Sequence, residues 1–247
     1  MADRELPPSS AFAADDGTCD PGLASALERY GRGGGSLAAV VAALVGTRVL
    51  VPVLAERDAS GVVGTGSREH ALDKRSSAGI VALRAPDGRT ALPVFSSVAS
   101  MAAWRLDARP VPSDVARAAL AALTEQWELV VLDPGGPTTA LIPRPAVSAL
   151  ARRLAWEPAV VAAPDGDTVD ARVSAAIQRS IVDVVEVLAS HVVPGRRAEI
   201  AVVLELVPGL DRARLDAVLV RVNTALAADE TIAERVDSLE LRLHAGA

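Results

Sequence analysis

Of 247 residues, only six are aromatic, three are histidines, one is a cysteine and one, Lys74, is a lysine. Each shortage removes a class of function. Cys19 alone can close no intrachain disulfide and supplies no thiolate cluster, which suits a reducing compartment. His70, His191 and His244 are too scattered to give zinc-ligand spacing, so no metal is expected. A Ser-His-Asp enzyme would need one of them to serve a Gly-x-Ser-x-Gly elbow, which the chain does not contain. Lys74 follows Asp73 in a charged stretch, unlike a phosphate-loop or Schiff-base lysine. So few aromatics make no stacking platform for single-stranded nucleic acid. The longest apolar run, Leu37 to Val45, is too short to span a bilayer. The opening MADRELPPSS places acids and prolines where a signal peptide needs positive charge and an apolar block. The expectation is a cytoplasmic protein with no cofactor, no membrane association and no catalytic residue that can be named.

What is present is apolar surface. Half the residues are hydrophobic, enough for one large or two small cores, and with so few rings those cores must be built from Ala, Val and Leu. Basic residues are almost all Arg, which with the alanine richness reads as a GC-rich coding bias and weakens any single Arg as a functional signal. Charge is uneven. Residues 1–35 hold six acidic and three basic groups, 36–155 ten and thirteen, and 156–247 fifteen and nine. The acidic last third argues against nucleic acid as the main partner, and solvated faces account for most of this charge.

Residues 1–20 mix Pro, Ser, Asp and Gly without apolar periodicity and are expected to be disordered, within a tail over 1–35 that can hold a short helix at about Pro21 to Tyr30. GRGGGS at 31–36 resembles a phosphate loop only superficially: it follows a helix, lacks Gly-x-Gly-x-x-Gly spacing and reads as a linker. Ser36 caps a helix to Val45, and Thr47 to Leu54 is the first strand. The polar stretch Ala55 to Ser77 reads as a loop, where His70 is solvated more readily than it is an acid, base or ligand. Strands Ile80 to Leu83 and Thr90 to Phe95 flank Pro86-Asp87-Gly88, a hairpin signal. RVLVPVL at 48 and RTALPVF at 89 share Arg, Pro and Val in register, which suggests two strands used in similar ways.

The chain is organised around residues 89–112. Pro93 cannot donate to a ladder and so places its strand at an edge or a bulge. Ser96 and Ser97 are candidate caps for a brief helix, Val98 to Trp104, which must anchor through Met101 and a largely buried Trp104. Arg109-Pro110-Val111-Pro112 leaves in an extended or polyproline-like path. The helix start offers free amides, so Ser96 and Ser97, with Arg105 and Arg109 near in sequence, are the candidate anion-binding residues; an ordinary cap is the plainer alternative. Ser113 then caps a helix with Asp114 in its first turn and Val115, Ala119, Ala122 and Leu123 on one face. Trp127 to Leu132 reads as a central strand, and Asp133 begins a Pro-Gly-Gly turn; at a strand's end it can serve as a catalytic carboxylate, but in such a turn its side chain more often bonds nearby amides. Pro145 starts a closing helix through Leu154.

LPVF, two serines, a small-residue helix reaching Trp104 and then ARPVP, together with VVLDPGG at 130–136 and RVLVPVL at 48–54, resemble the N-terminal domain of the SseB family, named for enhanced serine sensitivity. The resemblance covers roughly residues 36–155, and the remainder is similar in layout to the family's C-terminal domain. It implies a link to serine or sulfur metabolism and no established catalytic residue.

Residues 156–168, where prolines and a Pro-Asp-Gly cluster interrupt any period, read as a linker. Beyond it, Val169, Val173, Ile177 and Ile181 share a helical face, and 183–193 is a strand or continued helix. Ile200, Val202, Leu204 and Leu206 alternate in a half-buried strand, Asp211 caps a helix, and Leu239, Leu241 and Leu243 form a last strand. The fold class expected is α+β: a mixed α/β sheet domain, then over 169–247 a smaller helix-strand-strand-helix-strand domain with two helices on one sheet face. Two functions remain. One is a noncatalytic binding or adaptor protein with a protein partner, which needs an exposed apolar patch. The other is a small-molecule or anion sensor, or an enzyme, at Ser96, Ser97 and Arg109, which needs convergent titratable groups. Partner, ligand and oligomeric state stay open.

Overall fold

The computed structural model describes residues 12–54, 72–73, 81–85 and 87–246, the side chains of 72, 73 and 245 excepted. His70 lies outside them. The chain is α+β and divides into two compact units, 1–155 and 156–247.

The first unit opens with two helices, α1 (Pro21–Gly31), capped by Asp20, and α2 (Leu37–Leu44), capped by Ser36. Strand β1 (Arg48–Val53) follows, then β2 (Leu72–Asp73), β3 (Ala82–Arg84) and β4 (Thr90–Val94). Gly88 takes φ +88° in the β3–β4 hairpin, the left-handed conformation its turn requires. Next come α3 (Val98–Trp104), β5 (Arg109–Asp114), α4 (Val115–Thr124), β6 (Leu129–Leu132), β7 (Ala140–Pro143) and α5 (Arg144–Ala151). Among the described residues one sheet runs β2-β3-β4-β6-β7, with β4 and β6 parallel, and β1 pairs with β5 in a second.

Several expectations are corrected here. β4 is interior, so Pro93 is not at an edge. Pairing of β4 with β3 ends at Ala91, and Phe95 exchanges both backbone bonds with Leu50 of β1 at 2.9 Å. Pro93 sits between these two, where β4 passes from one neighbour to the other and no donor is required. The antiparallel register set by Leu50 and Phe95 also brings Pro52 opposite Pro93. Neither has an N–H, so the β1–β4 ladder stops after one bridge and the sheet divides in two. That meeting is the physical content of the RVLVPVL and RTALPVF echo.

Of the two paths open to residues 109–112 the extended one is taken: they belong to strand β5, in register from Arg109 opposite Val53 to Asp114 opposite Arg48. Asp114, not Ser113, caps α4, accepting from Ala116 and Arg117 N–H at 2.9 and 3.4 Å, because β5 runs through Asp114 and the helix begins only at Val115. Trp104 is only partly buried; Phe95 and Met101 fill the space beneath it, with the Phe95 and Trp104 ring centroids 5.2 Å apart. Residues 12–20, expected to be disordered, are hydrogen-bonded to the domain through Asp15, Gly17 and Thr18.

In the second unit, the stretch read as a linker carries a small hairpin, β8 (Val160–Val161) with β9 (Thr168–Val169), and Ala159 is fully buried in the core. Helix α6 (Ala171–Ile181) ends before β10 (Val187–Pro194), so of 183–193 the part from Val187 is strand, and 183–186 is a turn that neither alternative anticipated. Then come β11 (Ile200–Leu206), α7 (Arg212–Ala228), α8 (Glu230–Arg235) and β12 (Leu239–Ala245), giving a sheet of order β10-β11-β12. Val173, Ile177, Val218, Val222 and Ile232 pack with Ile200, Val202 and Leu204, so all three helices cover one face. No described helix is long and apolar enough to cross a membrane.

Candidate functional site

Parallel strands set their carboxyl ends side by side, the usual ligand position in such sheets. Here β4 runs into Ser96 and β6 into Asp133, whose N–H donates to the Val94 carbonyl at 2.9 Å. The Pro-Gly-Gly turn holds Asp133 at φ +50°, a conformation aspartate tolerates better than most residues. Its side chain does not cap its own turn. Oδ1 accepts from the Ser96 N–H at 2.8 Å and Oδ2 from the Ser96 hydroxyl at 2.6 Å, with both residues buried. The reach across 37 residues was not legible locally, because it exists only once β4 and β6 are neighbours.

Electrostatics at this node are opposed. Burial pushes the Asp133 carboxyl above the ordinary aspartate range, against the pull of the Ser96 hydroxyl and amide and of Ser100. Burial also raises the Cys19 thiol, with the Asp133 and Asp20 carboxylates adding to the effect, so Cys19 is a poor thiolate. Arg48 closes the node from outside. Its Nη1 donates to the Ser96 carbonyl at 2.7 Å, its Nε and Nη2 to the Asp15 carboxylate at 2.5 and 2.8 Å, and its Nη2 to the Thr18 carbonyl at 2.7 Å. The bond from Arg48 holds Asp15 below the usual carboxylate range.

The donors offered by the start of α3 are used by the chain itself. Ser97 is the cap, accepting from the Ser100 N–H at 3.0 Å, while Ser96 is committed to Asp133. The Val98 N–H donates to the Gly17 carbonyl at 2.9 Å. Arg105 lies at the other end of this seven-residue helix, about 10 Å away by helical rise, paired with Asp107 at 2.8 and 2.5 Å. Arg109 is exposed at the start of β5. Ser96 and Ser97 are therefore adjacent, and neither arginine joins them. In chemical terms Ser96 and Asp133 make a serine–carboxylate contact, and the described part of this unit holds no imidazole to relay its proton. Among the described residues no cluster of His, Cys, Asp or Glu could hold a metal ion. His191 and His244 sit exposed on β10 and β12.

A second feature of this unit is a groove of about 530 Å³ beside α4. Its lining includes Val51, Leu92, Trp127 and Val111 of the strand side and Leu120 of α4. Leu92 and Trp127 are buried, whereas Val111 and Leu120 are 45 % and 56 % exposed. Sequence reasoning passed over Leu120, yet a signal was present: it is a leucine off the Val115, Ala119, Ala122 face. In the second unit a cleft of about 520 Å³ carries Glu157, Arg172, Arg179, Glu234 and Arg235. Arg235 there is a structural tie, donating to Asp170 at 2.8 Å and to the Pro158 carbonyl at 3.2 Å.

No curated protein and no solved structure matches the chain. Residues 23–149 match the family described as SseB protein N-terminal domain, a span that starts within α1, ahead of residue 36, and ends in α5. That span is just over half of the 247 residues, and the chain belongs to the SseB family.

Proposed function

We propose that the protein is a noncatalytic binding or adaptor protein of the cytoplasm that holds a protein partner in the groove beside α4. One observation carries this reading: two large apolar side chains, Val111 and Leu120, stand about half exposed over a buried apolar floor. Leaving such area wet costs about 25 cal/mol per Å², which a partner would recover. The polar node at Ser96 and Asp133 supports the same reading from the other side, since its donors and acceptors are spent on one another. Serine or sulfur metabolism, the setting implied by the family's name, is where the partner belongs.

The test is complementation. A strain lacking the protein is grown under excess serine and supplied with wild type or with Leu120→Asp, a surface change that leaves the fold intact. Wild type restores growth and the variant does not. Full restoration by a folded Leu120→Asp protein would remove the groove from the function.

A further inference from the structure

The same groove indicates what kind of partner segment fits it, an inference that rests on the docking reading above. Strand addition to this face is blocked. The Val115 N–H donates to the Thr47 carbonyl, and the register continues through the pairs Val49–Ser113, Val51–Val111 and Val53–Arg109. Those residues point their backbone groups at one another, so the amides directed outward from β5 belong to positions 110, 112 and 114. Two of the three are prolines and have no N–H to offer. A partner must therefore bind through side chains on the groove face.

One wall of that groove is a helical stripe: Arg117, Leu120, Ala121 and Thr124 recur at i, i+3, i+4 and i+7 along α4, about 10 Å or two turns. The floor is Val51 of β1 with Leu92 and Trp127, and Val111 of β5 stands on the opposite side from α4. α4 already packs against α5 on this side of the strands, and the groove lies along the outward flank of α4. A further helix laid there would extend the helical layer at ordinary interaxial spacing. Charge narrows the choice. The groove lining holds one basic and one acidic side chain, Arg117 and Glu125, and Arg109, on the face of β5 that it shares with the lining residues Val111 and Ser113, makes the balance positive. Both guanidiniums are exposed and neither takes part in an ion pair among the described residues.

We propose that the groove binds the apolar face of an acidic amphipathic helix of two to three turns, presented by a partner protein, with its carboxylates toward Arg109 and Arg117. The experiment is selection of a displayed random library of peptides of about 16 residues, roughly 24 Å as helix, against the full-length protein. Selected peptides should carry apolar residues at i, i+3 or i+4, and i+7 with Asp and Glu between them. Their affinity should fall at least about tenfold for Leu120→Asp and for Arg109→Glu/Arg117→Glu, with circular dichroism confirming that both variants are folded. Alternating apolar patterns, basic enrichment, or binding untouched by Leu120→Asp would overturn the assignment. So would a dimer in solution that Leu120→Asp dissociates, because a second copy would then fill the groove. If no peptide is selected while a photo-crosslinker at residue 120 still traps a protein in cells, the helix assignment falls and the docking reading survives. If neither yields a product, both fall.

Discussion

The Ser96 hydroxyl and amide both donate to the Asp133 carboxylate, at 2.6 and 2.8 Å, binding the end of β4 to the end of β6 across 37 residues. Asp133→Ala would leave the buried Ser96 N–H without its acceptor, and losing bonds of this kind should cost about 1 to 3 kcal/mol. Thermal unfolding of the variant checks it; an unchanged Tm would mean that the contact contributes nothing to stability.

The same carboxylate has a pH signature. Its folded pKa is raised from the ordinary 3.8, so protonation favours the folded state. Relative to the non-titrating Asp133→Asn, wild type should be most advantaged below pH 3.8 and lose that advantage as pH rises through the folded pKa. Denaturant unfolding of the pair from pH 3 upward should show the gap shrinking; a gap that widens with pH would contradict a raised value.

Asp15 should behave in the opposite sense. Arg48 lowers its pKa, so the contact stabilises above pH 3.8 and is lost as pH falls through the folded value. Arg48→Ala removes the tie to Asp15, Thr18 and Ser96 together, and with charge-assisted bonds on partly shielded side chains the cost should be about 1 to 3 kcal/mol. Gly17 gives an independent check. It has φ +78°, and a Cβ there would lie 2.7 Å from Val98 Cγ2. Gly17→Ala should therefore speed amide exchange at Val98, with only part of the effect relieved by adding Val98→Ala, since the backbone strain remains. Full relief would place the whole cost in the steric contact.

How far the sequence could be read follows from which interactions are local. Caps at Ser36, Ser97 and Asp211 bond within their own first turns, so residue type and period reveal them. In the second unit, alternation in β11 and the period of α6 reveal strand and helix for the same reason. Pro93 misled because proline's missing donor is compatible with an edge and equally with a seam between two sheets, and only the position of Pro52 distinguishes them. Asp133 misled because a Pro-Gly-Gly turn predicts a local bond while its true partner comes from another strand. The groove is the product of strand register and helix placement together.

Trp104 packs on Phe95 at 5.2 Å but keeps part of its surface in solvent. Trp104→Ala should then cost about 2 to 3 kcal/mol, less than a fully buried tryptophan, with the ring pair supplying about 1 kcal/mol of it. A double-mutant cycle with Phe95→Leu measures the pair directly; a coupling near zero would leave only area burial.

The second unit should fold by itself, and its start matters. Residues 156–247 form a compact unit whose core draws on β11 and on α6, α7 and α8. A domain of this size is only marginally stable, so each buried group counts. Ala159 is fully buried in that core, its carbonyl accepts from the Asp170 N–H at 2.9 Å, and Val160 pairs with Val169. The Asp170 side chain in turn caps α6 and accepts from Arg235, whose other bonds go to the carbonyls of Glu157 and Pro158. A fragment beginning at Thr168 loses the hairpin and two of the anchors of Arg235, although every helix and the whole β10-β11-β12 sheet remain. Circular dichroism should thus show cooperative unfolding for 156–247 and a stability lower by about 2 kcal/mol or more for 168–247, from the lost backbone bonds and the vacated apolar contacts. Equal stability of the two fragments would make residues 156–167 a linker after all, and a disordered 156–247 fragment would mean that the unit cannot fold without the rest of the chain.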